Sequence, residues 1–298
     1  MTNILLGAIA FGLLWAIMTI GVFITYRILD IADLSVEGSI VLGASVAAII
    51  IQQDKDPFVA SILALLAGAS AGIITGILHT KLKIPALLSG ILCMIALYSI
   101  NIRVMGGSAN IPLLRKQTVF TPLMDMGLSR NVSTIIVGLI VGILVIGFMR
   151  WFFSTELGYA VRATGNNIRM AKAQGINTDN AKILGLAISN GLVGLSGALI
   201  AQFLSFSDVQ MGVGAIVIGL ASLIIGEVLF GGTSLIIKFV SLVLGAIIYR
   251  AIIALVLAAG MPPTDLKLFT AITVAVALYI PHVKEAMTAK RKRGQVSC

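Results

Sequence analysis

The chain has 298 residues, of which 58% are hydrophobic and only 11% are charged, and its mean hydropathy is +1.07. These charged side chains are too few to cover the surface of a soluble protein of this size, so the composition excludes a soluble domain and indicates a membrane protein. The formal net charge of +9 would suit nucleic-acid binding, but basic residues in a membrane protein first set its orientation, and no interleaving of aromatic and basic residues supports binding to nucleic acid. Cys93 and Cys298 offer neither a disulfide framework nor the spacing of a metal site.

Apolar runs that are long enough to cross the hydrocarbon core as helices, about 18 to 25 residues each, recur along the whole chain. They predict an all-α polytopic membrane protein with about eight to ten transmembrane helices. The first run lacks a basic n-region and is too long for the apolar core of a signal peptide, so we expect it to be retained as a helix. The runs are residues 4–26, 34–51, 58–79, 84–104, 132–152, 180–203, 213–230, 235–258 and 266–281.

Lys and Arg residues concentrate in three places, and the positive-inside rule predicts that these places face the cytoplasm. Alternation then puts the segments 52–57, 106–130 and 258–265 outside, together with the N-terminus. The basic tail, residues 282–298, is expected to lie near the anionic lipids of the inner leaflet. The three basic groups are Lys81 and Lys83; Arg150, Arg162, Arg169, Lys172 and Lys182; and Lys284, Lys290, Arg291, Lys292 and Arg293.

Small residues recur at helical spacing in the third apolar run. Gly68, Gly72 and Gly76 are four residues apart, which puts them on one face of a helix. Such faces let helix backbones approach closely inside a membrane, where the hydrophobic effect does not distinguish protein from lipid. We expect these glycines to pack helices within one subunit rather than to form a dedicated dimer motif.

A polar, basic stretch, residues 154–179, interrupts the apolar runs in the middle of the chain. Thr155, with Ser154 before it, can cap the start of a helix whose first turn carries Glu156 at the positive end of the helix dipole. Gly165 and Gly175 each disfavour a helix interior by about 1 kcal/mol relative to Ala, so we expect short helices joined by tight turns. The polar cluster 177–180 then caps the next membrane helix.

Helical geometry predicts two faces in this stretch. Leu157, Val161 and Ile168 share one side, which is expected to rest on the membrane domain. A second side, about a third of a turn away, is expected to face a partner in water. That second side carries Arg162, Asn166 and Arg169.

The residues TELGYAVRATGNNIRMAKAQGINTDNAKILGLAISNGLVGLSGAL, positions 155–199, closely resemble the cytoplasmic signature of permeases from ABC importers of the branched-chain amino acid and simple-sugar type. That signature runs as Thr, a gap to Gly, Arg-Ala, Gly, Asn, a later Ala, Gly-Ile-Asn and a helix rich in Gly and Ala. In that family the element is the coupling helix that docks in a cleft of the cytoplasmic ATPase, so the resemblance implies the same role here. The residues assigned to coupling are Thr155, Glu156, Gly158, Arg162, Ala163, Gly165, Asn166, Asn167, Arg169, Ala171, Gly175 and Ile176.

Two further stretches resemble the same family more loosely, DIADLSVEGSIVLGASVAA at 30–48 and KLKIPALLSGILCMIALYSIN at 81–101. Glu37 and Glu227 depart from the family pattern, and these departures argue against ribose and aliphatic amino acids as solutes. The stretches VEGSIVLGA and ALYSINIRVMGG resemble a subgroup associated with aromatic amino acid uptake, so tryptophan or tyrosine is the expected solute. A branched-chain amino acid is the second choice, and a simple-sugar or nucleoside permease is the alternative within the family.

No Walker A sequence occurs, because GGTS at 231–234 lacks the lysine that would reach the phosphates, so ATP must be hydrolysed on another subunit. The resemblance implies the type II-like fold of an importer transmembrane domain, two permease copies, ATPase subunits that bind ATP and Mg²⁺, and an extracytoplasmic binding protein. The chain itself is expected to bind no cofactor or metal, to catalyse no reaction, and to form a single domain (1–298) of the bacterial cytoplasmic membrane. A stand-alone secondary transporter would show an internal repeat, and an intramembrane enzyme would show a cluster of catalytic side chains; the sequence shows neither.

Ionisable and amide side chains inside membrane helices are costly and therefore indicate function by default. Glu227 is interpreted either as a carboxylate that faces the solute path or as a buried partner of Lys238 or Arg250. Asn101 and Asn190 can instead form hydrogen bonds between helices. Glu37 lies near a helix end and can simply be solvated. The candidates for the path or gate are Glu37, Asn101, Asn190 and Glu227.

Overall fold

The computed structural model describes residues 2–232, 234–262, 265, 268–273, 275 and 279. The basic tail (282–298) and half of the ninth predicted run (266–281) lie outside the described residues. The elements in chain order are α1 (Thr2–Phe23), continued by a π-helical turn (Ile24–Ile28), α2 (Val36–Gln52), α3 (Pro57–Thr80), α4 (Ala86–Val104), β1 (Asn110–Pro112), α5 (Thr121–Asp125), α6 (Arg130–Phe152), α7 (Glu156–Asn166), α8 (Ile168–Ala173), α9 (Thr178–Leu204), β2 (Phe206–Asp208), α10 (Ala215–Phe230) and α11 (Leu235–Ala258).

Six of these helices are long and apolar enough to cross a membrane, namely α1 with its π turn, α3, α4, α6, α9 and α11. The helices α2 and α10 are apolar but shorter, with 17 and 16 residues. These eight helices coincide with the first eight predicted runs, so the prediction of an all-α, multi-pass membrane protein is confirmed. The sequence did not reveal that α2 and α10 begin inside the bundle.

The centre of the bundle is α9, which packs against α1, α2 and α3. Gly68 and Gly72 on α3 lie so close to α9 that a Cβ atom at either position would overlap the backbone oxygen of Asn190 or of Leu186. Gly76 meets the same helix one turn further along. All three glycines therefore face α9 of the same chain, where they let two backbones come into direct contact.

Both short helices begin near the middle of the bundle. The hydroxyl of Ser35, which precedes α2, lies 3.2 Å from Oδ1 of Asn190, close to the midpoint of the 27-residue α9. The backbone N–H of Gly214, which precedes α10, donates to Oε1 of Glu37 in the first turn of α2 (3.0 Å). From this common depth the two helices run to opposite ends. Asp33 and Ser35, just before α2, and Gly212, just before α10, are buried, as non-helical backbone at membrane depth tends to be.

The two ends of the bundle differ in character. At one end, the hairpin end, β1 pairs antiparallel with β2, and Gln52 at the end of α2 donates to the backbone oxygen of Pro112 (3.3 Å). At the other, the basic end, α7 packs beside the π turn and α8 packs against α7 and α9, and Lys182 at the start of α9 contacts His79 at the end of α3 (3.1 Å). Helices α1, α3, α6 and α10 run towards the basic end, and α2, α4, α9 and α11 run away from it.

Candidate functional site

The polar stretch 154–179 begins and ends with the helix caps predicted from the sequence. The side chain of Thr155 accepts a hydrogen bond from the N–H of Gly158 (3.3 Å) and starts α7. The side chain of Asn177 accepts one from the N–H of Asn180 (3.1 Å) and starts α9. Each cap satisfies a backbone donor that a helix start would otherwise leave unpaired.

Two short helices lie between these caps, as expected. Their junction is at Asn167, however, and not at Gly165, where the sequence predicted a break. The chain leaves the helical conformation at Asn167 (φ −156°, ψ 100°), whose side chain accepts from the N–H of Met170 (3.0 Å) to start α8. Gly175 adopts a left-handed conformation (φ +81°) in the turn after α8, a conformation that glycine takes at little cost. Gly165 lies inside α7, where a Cβ atom would overlap the backbone oxygen of Ile28, so its function is close contact with the π turn and not a helix break.

The face of α7 that meets the bundle differs from the predicted one. Val161 is fully buried, but Leu157 is 60% exposed and Ile168 is 42% exposed, so the prediction that these three rest together on the membrane domain was wrong for two of them. At Gly158 the α7 backbone lies directly against Phe152 and Phe153. The face of α7 that contacts the bundle is therefore the one that carries Gly158, and Leu157 lies outside it. Ile168 follows the break and belongs to α8, so it is no longer in phase with α7.

The outward surface of this segment combines apolar and basic side chains. The exposed side chains of Leu157, Tyr159, Arg162, Ile168 and Met170 lie on α7 and α8, and the Arg162 guanidinium stands 5.7 Å from the centre of the Tyr159 ring. Exposed aromatic and arginine side chains of this kind are typical of protein interfaces. Of the other residues assigned to coupling, Glu156, Asn166, Asn167, Arg169 and Gly175 are exposed, Thr155, Ala163, Gly165 and Ile176 are half-buried, and Gly158 and Ala171 are buried.

Glu227 lies in the last turn of α10, at the basic end. It forms an ion pair with Arg27 of the π turn (3.2 Å), so the interpretation as a partner of Lys238 or Arg250 was wrong. Arg250 instead lies over two aromatic rings of α1, 4.2 and 4.3 Å from their centres. The π turn, which periodicity does not reveal, carries Arg27 to α10. A cavity of about 890 Å³ beside this ion pair is lined by the π turn, α7 and the start of α11.

Asn190 belongs to a buried hydrogen-bond network in the middle of the bundle, with Asp33 and Ser35. Its Nδ2 donates to Oδ2 of Asp33 (2.7 Å), and Oδ1 of Asp33 accepts from the backbone N–H of Ser35 (2.9 Å) and lies 2.5 Å from the Ser35 hydroxyl. Sequence reasoning missed Asp33, although an Asp two residues before Ser35 at a helix start is typical of a capping turn. Asn190 thus ties α9 to the start of α2.

Glu37 and Asn101 line a second cavity, of about 410 Å³, between α2, α4 and the segment before α10. Asn101 is 1% exposed, and its Nδ2 donates to the backbone oxygen of Gly38 (3.2 Å). Its Oδ1 has no hydrogen-bond partner among the described residues. The structure therefore separates the four membrane candidates into Glu37 and Asn101 at one cavity, Asn190 in a closed network, and Glu227 at the basic end.

Comparisons with known sequences point to one family. The family model described as "Branched-chain amino acid transport system / permease component" matches residues 4–278. The tyrosine transport system permease protein of Clostridioides difficile (strain R20291) is 45% identical over 263 residues, which cover 88% of this chain and 86% of that protein. The ribose import permease of Escherichia coli (strain K12) is 27% identical over 221 residues, which cover 73% of this chain and 67% of that protein.

A solved structure supports the same fold. It is a metal-chelate type ABC transporter in an inward-facing conformation, with a TM-score of 0.50 over 93% of this chain and 84% of that one. The sequence identity is 14%, so the similarity is one of fold alone.

Proposed function

Because the chain belongs to the permease family of the branched-chain amino acid transport systems, a family of ABC transporter membrane subunits of the bacterial cytoplasmic membrane, we propose that it is the permease of an importer for an aromatic amino acid, tyrosine first and tryptophan second. The observation that supports this choice of solute is the 45% identity to a tyrosine permease, compared with 27% identity to a ribose permease. The carboxylate of Glu37 in a cavity at membrane depth agrees with a solute that carries an ammonium group.

The α7–α8 segment is the proposed coupling element. It packs against the bundle through Gly158, Val161 and Gly165. A displacement of this segment by a bound partner would therefore be transmitted directly to the π turn. That outer surface offers Leu157 and Arg162 to a partner, and an exposed apolar patch with a basic rim is what a cytoplasmic ATPase would bind.

The partners follow from this assignment. Two copies of the chain, a homodimer, surround the path; ATPase subunits, which bind ATP and Mg²⁺, dock at the basic end; and an extracytoplasmic binding protein delivers the solute to the hairpin end. The basic end therefore faces the cytoplasm, in agreement with the positive-inside rule, and the whole chain acts as one membrane domain.

The coupling assignment is tested by co-purification of the ATPase with the Arg162→Glu variant. Charge reversal at the centre of the proposed interface should lower ATPase recovery by about tenfold or more, since charge repulsion at an interface costs several kcal/mol. Lys81→Glu, which makes the same change elsewhere at the basic end, is the matched control and should leave recovery unchanged. Equal recovery with Arg162→Glu and wild type would contradict the assignment.

The solute is tested with the complete importer in vesicles that contain ATP. Labelled tyrosine should accumulate, leucine should accumulate less, and ribose should not. Accumulation driven by an ion gradient without the ATPase would contradict the ABC importer mechanism.

A further inference from the structure

The cavity of about 410 Å³ lies where α2 begins, at the midpoint of the bundle, and combines two polar side chains with an apolar wall. Its volume is within the range of small-molecule sites, about 300–1,000 Å³. Its apolar wall consists of Val41 on α2, Met94, Ile95 and Tyr98 on α4, and Val213 before α10. Tyr98 is 55% exposed as a residue, so its side chain is accessible to an occupant.

The two polar side chains, Glu37 and Asn101, offer hydrogen-bond acceptors. One carboxylate oxygen of Glu37 accepts from the N–H of Gly214 (3.0 Å), and the charge of the carboxylate is paired with no Lys or Arg in the part of the chain that the structure describes. Asn101 has its Nδ2 bound to Gly38, and within the same described residues its Oδ1 accepts nothing. Among the residues that the structure describes, no cationic side chain lines the cavity.

A negative charge and a free acceptor, without a cation, match a ligand group that is positively charged and rich in donors. An ammonium group has three N–H donors and one positive charge. A sugar would bring hydroxyl groups but no charge. The α-carboxylate of an amino acid would be repelled by Glu37, so the amino acid would bind with its ammonium group towards Glu37 and its carboxylate pointing away. The apolar wall and the Tyr98 ring suit the aromatic part of the same ligand, since rings pack against one another and cations bind to ring faces.

We propose that this cavity is a solute-binding site on the translocation path, in which Glu37 binds the α-ammonium group of an aromatic amino acid. Asn101 Oδ1, which is buried at the cavity wall, accepts a second hydrogen bond from it after a small rotation of the side chain. This inference rests on the proposed function, since it assumes that the solute is an amino acid. Glu37 then has two roles, because it also accepts from Gly214 at the start of α10. The site therefore lies where the starts of α2 and α10 meet. Binding of an ammonium group would neutralise the charge of Glu37 next to both helix starts.

The experiment compares tyrosine uptake with ATP hydrolysis in vesicles that hold the complete importer. Glu37→Gln keeps a side-chain oxygen that can accept from Gly214 and removes the charge. Uptake per ATP hydrolysed should fall about tenfold or more, the factor that corresponds to the loss of a hydrogen bond to a charged group, while hydrolysis stimulated by the binding protein stays within about twofold. Ser45→Ala, a buried position on the same helix, is the control and should change neither rate.

Two results would overturn the inference. In one, Glu37→Gln imports tyrosine with the wild-type ratio; in the other, uptake and hydrolysis fall together, as loss of a helix cap alone would cause. A wild-type importer that accumulates ribose and no amino acid would instead overturn the proposed function, and the inference with it, so the two failures are distinguishable.

A second pair of variants covers the case in which Glu37→Gln does not accumulate in the membrane. Tyr98→Lys places a cation beside Glu37, which can pair with it and so offset the cost of a charge in a membrane helix, whereas Tyr98→Leu keeps the wall neutral. The ratio of uptake to hydrolysis should be about tenfold lower for Tyr98→Lys than for Tyr98→Leu. Equal ratios would overturn the inference.

Discussion

Two polar regions lie at the same depth of the bundle, on either side of the start of α2, and they differ in how completely their hydrogen bonds are satisfied. In the first, Asp33 accepts from Ser35 and Asn190, and all three residues are buried. In the second, Glu37 and Asn101 line a cavity, and among the described residues Asn101 Oδ1 has no donor. The first region is closed, and the second has acceptors left over.

The difference shows how polar groups in an apolar bundle divide between structure and function. A buried network whose donors and acceptors match holds helices in register, because breaking it leaves groups unsatisfied. A set with surplus acceptors beside a cavity stabilises the fold less, and its surplus can be used by a ligand. Position in the sequence does not separate the two, since Asp33 and Glu37 are only four residues apart.

The largest expected effect is the loss of stability in Asp33→Ala, which removes the acceptor of the closed region. At least two buried donors, on Ser35 and Asn190, lose their partner at about 1–3 kcal/mol each, so the free energy of unfolding should fall by about 3 kcal/mol. Glu37→Ala, the same kind of change in the open region, removes the acceptor of the backbone N–H groups of Gly214 and Ile216 at the start of α10 and should cost about 1 kcal/mol, as loss of a helix cap does. Thermal unfolding of the two purified variants in detergent measures the difference. Equal destabilisation would mean that the two regions are not distinct.

The next largest effect is expected from Gly68→Ala on α3, which changes the contact between α3 and the backbone of Asn190 in the closed region. The added methyl group would overlap the backbone oxygen of Asn190, and a backbone helix cannot yield as a flexible side chain can. Overpacking of this kind costs about 1–3 kcal/mol. Gly142→Ala on α6, where a Cβ atom would meet nothing within 4 Å, is the matched control and should leave the unfolding temperature unchanged or raised. A loss that is the same for both variants would contradict a specific role of the α3–α9 contact.

The sequence predicted the helices because apolar length alone decides which segments can cross a bilayer. It did not predict that α2 and α10 begin halfway, since their hydropathy resembles that of full crossings. Their starting depth is set by the contacts of Ser35 with Asn190 and of Glu37 with Gly214, which join residues more than 150 positions apart. No local pattern encodes such pairings.

The candidate site shows the same division between local and distant causes. The caps at Thr155 and Asn177 were predictable, because a cap depends on its own residue and the next three. The exposure of Leu157 was not, because it depends on how closely Gly158 lets α7 approach the end of α6. Glu227 was recognised as an unusual residue, but its partner, Arg27, lies 200 positions away.

The smallest expected effect is at that ion pair, a third polar group outside both regions. The Arg27 side chain is 59% exposed and that of Glu227 24%, so water screens the attraction that holds them 3.2 Å apart. A double-mutant cycle with Arg27→Ala and Glu227→Ala should give a coupling free energy of about 1 kcal/mol or less, and it should shrink further in high salt. A larger, salt-independent coupling would mean that the pair is dry in the folded protein and would place it with the closed region. A small one would mean that the ion pair holds the π turn to α10 only weakly, which leaves the π turn free to move with α7.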